Sequence, residues 1–423
     1  MIDIFQSREN FLGWLEKKRV SFDKEDENVK KIIREVASRG DAAVREYTLQ
    51  FDRIEIEQFE MNRSEKESAL KQVDSHLMEC LERAKNNLYE YHVSQKPSQW
   101  HFQKDGKVLG QIARPLDSAG LYVPGGKGVY PSTVLMTAVP AKIAGVSEIA
   151  IITPPRPDGT LDPLVVASAH ICGVDRVFKA GGVQGVAALA YGTEQFPRVD
   201  KIVGPGNAYV TMAKKYLYGR IDIDSLAGPS EVMLLTDEYV PLKYIVADML
   251  AQAEHSEDAQ SIVLVPSLEM AEMLKNKVIE TIEKSPRKEI LKSSIEENSC
   301  IVVFKDFPEA CDLINEYAPE HLGVLSEAVS EENILKYVRH AGAIFMGYYT
   351  PVAIGDYFAG PNHTLPTSGT ARYASPLGVY DFMKYTSFIR YNREQLIKDR
   401  EWAVPIAEKE SFYEHANSLK VRD

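Results

Sequence analysis

Cysteine is scarce in this chain, with four residues in 423. Cys80, Cys172, Cys300 and Cys311 stand far apart and form no C-x-x-C pair. That excludes a disulfide framework or a zinc knuckle, and the thiols read as reduced core residues. Long apolar runs are missing too. No stretch reaches the roughly 18 residues that a membrane-spanning helix needs. The opening MIDIFQSRENFLGW has neither a basic leading region nor a long apolar core, so no secretory signal is expected. The expected compartment is the cytoplasm. Basic charge is in deficit: 49 Lys and Arg against 61 Asp and Glu give a net charge of −12. Non-specific nucleic-acid binding needs clustered basic residues, so neither nucleic acid nor membrane is an expected partner.

What is present is ordinary for a globular protein: 44% hydrophobic and 26% charged residues. At roughly 100–200 residues per domain, the length allows two or three domains with real cores. Glu25 to Phe51 and Ser64 to Tyr91 carry helical periodicity and are rich in Lys, Glu and Arg, which predicts two long amphipathic helices. From about residue 121, short β-branched runs alternate with helical stretches: LYV, EIAIIT, RVFKA and KIVG each precede one. This is the pattern of a parallel sheet covered on both faces. EVMLLTD at 231–237 begins a second series, continued by the helices Leu242 to His255 and Leu268 to Ile282 and the runs SIVLVP, CIVVFKD and AIFMG.

The expected fold is therefore α/β, with two Rossmann-like lobes built on parallel sheets. Residues 1–121 and 230–373 are expected to form one lobe and residues 122–229 the other. Residues 374–423 show no strand signal. They read as a helical tail too thin to hold a core, which must pack on something else.

Nine histidines are present, and five lie in helical or polar contexts without chemical partners nearby. His255, His321, His363 and His415 sit instead in segments dense with Gly, Pro, Asp, Glu or Gln. In LAQAEH, Gln252 and His255 are three apart and share a helix face. They read either as metal donors or as a polar helix end whose His complements the dipole. In APEHL, Glu320 and His321 are either a proton-transfer pair or part of a solvated loop. GDYFAGPNHTLPTSGTARYASP holds Asp356 and His363 beyond a predicted strand, where ligands bind in open α/β sheets. It could equally be an irregular surface loop. Three Gly-rich turns, LYVPGGKGVYP, KAGGVQG and VGPGN, each follow a strand and open a helix. Backbone amides there can cradle phosphate, but none matches G-x-G-x-x-G, and tight turns alone would also require the glycines.

Taken in order, these segments resemble the histidinol dehydrogenase family over nearly the whole chain. The match runs through SRGDAAVREYTLQFD, GLYVPGGKGVYPSTVLMTAVPAKIAGV, VGPGNAYVTMAKKYLYG, AGPSEVMLLTD, LAQAEH, APEHL and GAIFMGYYTPVAIGDYFAGPNHTLPTSGTARYASPLGVYDFMK. The resemblance implies oxidation of L-histidinol through L-histidinal to L-histidine, with reduction of two NAD. It implies one zinc per subunit, held by Gln252, His255, Asp356 and His415, and a homodimer in which the last ligand comes from the other subunit. Glu320 and His321 match the catalytic pair. The substrate contacts fall on Ser230, Gln252, His255, Glu320, His321, Asp356, His363, Glu410 and His415, and the NAD contacts on Tyr122, Gln184 and Asn207. In the tail, ESFYEH keeps the spacing from Glu410 to His415, but the residues between are bulkier than the family's, and Glu408 and Glu414 compete with Glu410. A paralogous dehydrogenase acting on another hydroxyl substrate and a zinc hydrolase are the alternative readings.

Overall fold

The computed structural model describes residues 2–18, 26–125 and 128–422. Two parallel sheets organise the chain. The first has five strands in the spatial order Arg176–Lys179, Glu148–Thr153, Ser118–Tyr122, Lys201–Val203, Asp222–Ile223. The second has six, in the order Asp3–Phe5, Cys300–Val303, Gln260–Val265, Glu231–Thr236, His321–Leu325, Ala343–Met346.

The central strands of both sheets are buried on both faces, so their middles read as continuous apolar runs rather than alternating. The pleat then divides each strand between two cores. Ile149 and Ile151 enter one core, and Ala150 and Ile152 the other. Val232 and Leu234 face one side of the six-stranded sheet, Met233 and Leu235 the opposite side.

The N-terminal helices are shorter than expected, and most belong to the other lobe. The predicted first helix is two: Glu27–Arg39 and Asp41–Asp52, broken at Gly40, which has φ +55°. Glu25 lies outside the described residues. The second predicted helix is also two, Arg63–Leu70 and Ser75–Val93, with Asp74 capping the latter. Val29, Ile33, Val44 and Tyr47 join one core of the five-stranded sheet, and Ala69, Leu81 and Leu88 the other. Of the expected residues 1–121, the strand Asp3–Phe5 and the helix Arg8–Lys18 join the six-stranded sheet. Amphipathic periodicity identifies a buried face but not which sheet receives it.

The tail differs as well. Met383–Tyr391 is a nine-residue strand, antiparallel to Lys107–Pro115, which also pairs with Trp100–Lys104. The strand is exposed along nearly its whole length, so MKYTSFIRY lacks the alternation of a half-buried strand. Beyond it, helix Arg393–Lys409 has no buried residue, and helix Tyr413–Lys420 packs against it. Among the described residues, no helix is long and apolar enough to cross a membrane.

Candidate active site

Of the two readings for Glu320 and His321, the solvated loop does not hold. His321 opens the buried central strand His321–Leu325, and both side chains are buried. The neighbouring strand opens at Glu231 and supplies three anchors. Its backbone N–H donates to Glu320 Oε2 at 2.7 Å, and its carbonyl lies 3.1 Å from His321 Nδ1. Its own carboxylate accepts the Ser368 N–H at 2.8 Å. With Nδ1–H committed to that carbonyl, Nε2 is the nitrogen left to exchange a proton, and it is buried without a hydrogen-bond partner. Nε2 stands 3.6 Å from Asp356 Oδ1, within ion-pair range but too long for a hydrogen bond. Burial pulls the imidazole pKa down, but the Glu320 and Asp356 carboxylates outweigh it and push it up to about 10. Glu231 moves in the same sense for the opposite reason: burial, reinforced by Glu320, raises its carboxyl to about 8.

Asp356, on helix Val352–Tyr357, is the meeting point. Burial would raise its pKa, but contact with His321 and the nearby charges of His363 and His255 bring it below its usual value. His363 sits on the following loop with Nε2 buried and unpartnered, and burial lowers its pKa. That loop is pinned by Asn362, whose amide donates to the Met136 carbonyl at 2.6 Å, in the other lobe. Ser230 immediately precedes the strand that carries Glu231, and its carbonyl accepts the Gln260 N–H at 2.9 Å.

The second donor pair closes helix Leu242–Ala253. Gln252 is buried with its amide Nε2 unpartnered. Turning that amide over presents its oxygen at the same place. His255 is exposed, and its Nδ1 faces the carbonyls of Ala251 and Gln252 at 3.1 and 3.2 Å, which leaves Nε2 as the basic nitrogen.

Among the described residues, no three His, Cys, Asp or Glu side chains converge as a metal cage. The candidate donors of this chain's cluster are two of those types, His255 and Asp356, plus the amide of Gln252. An unmet amide, an ionised carboxylate and a free imidazole nitrogen suit a borderline divalent cation such as zinc, with at least one further ligand needed for a closed tetrahedral site. Glu410 and His415 are exposed on the tail's helix pair. The neighbouring histidines that act on Asp356 are His321, His363 and His255.

A cavity of about 1100 Å³ lies over the carboxyl ends of the five-stranded sheet and includes Tyr122, Gln184 and Asn207 on its wall. Gly126 and Lys127 of the first Gly-rich turn lie outside the described residues. The Tyr122 hydroxyl accepts the Gly182 N–H at 3.3 Å, and burial drives its pKa up to about 12. Gln184 Oε1 is buried without a partner. Asn207 caps helix Ala208–Leu217, accepting the Val210 N–H at 3.1 Å. Helices Gly182–Tyr191 and Ala208–Leu217 begin at this cavity, and their free amides favour anionic groups such as phosphate. Glu231 is the functional residue that sequence reasoning missed. Its signal was present: a glutamate opening a fully apolar strand, directly after Ser230.

Fold and site together define an oxidoreductase of the two-lobed parallel α/β class. The profile of histidinol dehydrogenase matches residues 15–423. The chain is 47% identical over 398 residues to histidinol dehydrogenase of Oceanobacillus iheyensis, covering 94% of this chain and 93% of that protein. The enzyme of the same name from Bacillus subtilis is 45% identical over 396 residues, covering 93% and 92%. The crystal structure of histidinol dehydrogenase from Elizabethkingia anophelis superposes with a TM-score of 0.93 at 31% identity, covering 100% of this chain and 98% of that one. The chain belongs to the histidinol dehydrogenase family and is an oxidoreductase of histidine biosynthesis.

Proposed function

We propose that this enzyme oxidises L-histidinol to L-histidine through L-histidinal, in two hydride transfers to NAD, at a zinc site completed between two subunits. The observation that carries the reading is the pairing of Glu320 with a His321 whose Nδ1 is tied to the Glu231 carbonyl and whose Nε2 is free beside Asp356. Two oxidations in one site need a base for the hydroxyl proton and a second group to bring water to the aldehyde. His321 Nε2 is the base. It takes the hydroxyl proton as hydride leaves the same carbon. Glu320 takes a proton from the water that adds to the aldehyde. His321 returns its first proton to the former carbonyl oxygen as the water adds, which completes the hydrate and frees the imidazole, and it then accepts the hydroxyl proton of the hydrate in the second oxidation.

The high basicity of His321 comes from two ionised carboxylates. Neutralising the Asp356 charge brings the imidazole toward the range a base needs at neutral pH. Gln252, His255 and Asp356 would hold the zinc together with the partner subunit's His415. The zinc, when bound, supplies a fixed point for the substrate's amine and imidazole. His363, Ser230 and Glu410 would complete the substrate's surroundings. Tyr122, Gln184 and Asn207 would hold NAD, which when bound supplies the hydride acceptor. The homodimer is favoured by a tail that exposes Trp402, Ile406, Phe412 and Tyr413, apolar surface that a second subunit would cover. The proposed compartment remains the cytoplasm.

Purified protein supplied with L-histidinol should form two NADH for each histidinol consumed, with little free aldehyde. One NADH per histidinol with accumulating histidinal would contradict the two-step reading.

A further inference from the structure

The cavity that we assign to NAD contains a carboxylate with no role in the free protein. Asp52 lines it together with Tyr122, Gln184 and Asn207. It is the last residue of helix Asp41–Asp52, and its Oδ2 is buried with no hydrogen-bond donor among the described residues. Burial alone lifts the carboxyl to about 6. Three penalties therefore fall on this group. It is partly desolvated, it lacks a compensating donor, and its charge sits at the negative end of a helix dipole. Among the described residues no hydrogen bond offsets them. Asp162, on the same cavity wall, is different: it caps helix Pro163–Ile171 by accepting the Leu164 N–H at 2.9 Å.

Gln184 Oε1 is the second buried acceptor without a partner on this wall. Two unmet acceptors in one cavity call for a ligand rich in O–H or N–H donors, and the vicinal diol of a ribose presents two. The strand order of this sheet, 3-2-1-4-5 in chain order, is that of the doubly wound dinucleotide-binding sheet, in which an acid about 20 residues beyond the Gly-rich turn takes the ribose 2′-hydroxyl. Here the acid near that spacing is Glu148, and it is engaged by Arg176 at 2.6 Å. The strand it opens ends at Thr153 and is followed by Pro154 and Pro155, with no acid. Asp52 offers the missing carboxylate from a helix outside the sheet. Lys31 and Arg156 also line the cavity and supply positive charge for phosphates.

We propose that Asp52 accepts a hydrogen bond from the adenosine ribose of bound NAD and, by its negative charge, disfavours a 2′-phosphate, so that it sets the preference for NAD over NADP. The inference rests on the reading of the cavity as the NAD site. It is tested by equilibrium titration of the full-length enzyme and of Asp52→Asn and Asp52→Ser with NAD and with NADP, alongside thermal melting of each unliganded protein. Wild type should bind NAD at least about tenfold tighter than NADP, the weight of one hydrogen bond to a charged group. Both variants should bind NAD more weakly and bring the two affinities within about threefold, a gap well short of one such bond. Their unliganded melting temperatures should equal or exceed wild type, because an uncompensated charge has been removed.

An unchanged affinity ratio in the variants, or equal affinities in wild type, would overturn the role of Asp52 while leaving the NAD site standing. Lower melting temperatures with an unchanged ratio would mark Asp52 as structural and overturn the inference as well. Failure of wild type to bind either dinucleotide would overturn both the inference and the site.

Discussion

At the scale of single residues, the chemistry of this site is decided by what occupies the atoms that do not react. In the proposed mechanism His321 would act as the base at Nε2, because the Glu231 carbonyl holds Nδ1. Glu320 is oriented by the N–H of the same residue. His321→Asn should therefore reduce turnover of both histidinol and histidinal by roughly 10²–10⁴-fold, the usual weight of a general base, with metal content unchanged. Glu320→Gln should slow aldehyde oxidation more than alcohol oxidation. Stopped-flow measurement of each half-reaction separates them, and near-normal aldehyde oxidation would remove Glu320 from water activation. Glu231 gives a prediction about stability. Its folded-state carboxyl stays protonated up to about 8, while the unfolded chain releases that proton near 4.5. Below the lower value the group is protonated in both states and costs nothing. As pH rises between the two, ionisation favours the unfolded chain and stability is lost; above about 8 the loss is constant. Glu231→Gln should thus gain stability relative to wild type as pH rises through that window. Urea denaturation of both proteins between pH 4.5 and 8.5 would show it, and parallel curves would deny the shift.

At the scale of elements, the Gly-rich turns show how local sequence serves the cavity. Gly204 has φ +115°, and a Cβ there would press on the Tyr122 carbonyl. Its N–H donates to Asp224 at 2.7 Å, and Lys214 donates to its carbonyl at 3.1 Å while ion-pairing with the same aspartate. A buried pair thus clamps the peptide that leads to Asn207. Gly204→Ala should cost about 1–3 kcal/mol from backbone strain and weaken NAD binding more than histidinol binding, as melting and ligand titration would report. Intact NAD affinity would disconnect this turn from the cofactor. The same elements show what was legible beforehand. Buried parallel strands such as EIAIIT announce themselves by an unbroken apolar run, here Ile149 to Ile152, and helix Leu268–Ile282 lies where the periodicity predicts. The strand Met383–Tyr391 was hidden because exposure on both faces leaves no pattern, and its partner Lys107–Pro115 lies far away in sequence. The strand at His321 is disguised because APEHLGVL begins with turn residues, and it is fixed by pairing with Glu231–Thr236 and Ala343–Met346. Gly40 was visible as a letter, but the apolar stripe continues across it and masked the break.

At the scale of the whole molecule, the two sheets use opposite edges. The cavity lies at the carboxyl ends of the five-stranded sheet, where open α/β sheets bind ligands. Glu231 and His321, by contrast, are the first residues of their strands, so the proton-transfer pair sits at the amino-terminal edge of the six-stranded sheet. Helix Leu242–Ala253 delivers Gln252 and His255 beside that edge because a crossover helix runs back along its sheet. The main body thus carries every residue proposed for the site except Glu410 and His415. Those two ride on a helix pair that contributes one buried residue, Ala416. A helix of 17 residues without a buried face is not stabilised by its own fold. In the proposed dimer a second subunit would offer both the missing burial and the metal that His415 would ligate. The expected consequence is that each site exists only in the dimer. Removing residues 405–423 should abolish metal binding and activity while both lobes stay folded, as circular dichroism would show. A mixed dimer sharpens the test: one subunit carries His415→Ala and the other Asp356→Ala. If ligands cross the interface, both lesions fall in one site and the second site is intact. Twofold symmetry then gives about half of wild-type activity and about half the bound metal. If each subunit used its own His415, both sites would be damaged and the mixed dimer would be nearly inactive, which would end the shared-site proposal while leaving the family assignment untouched.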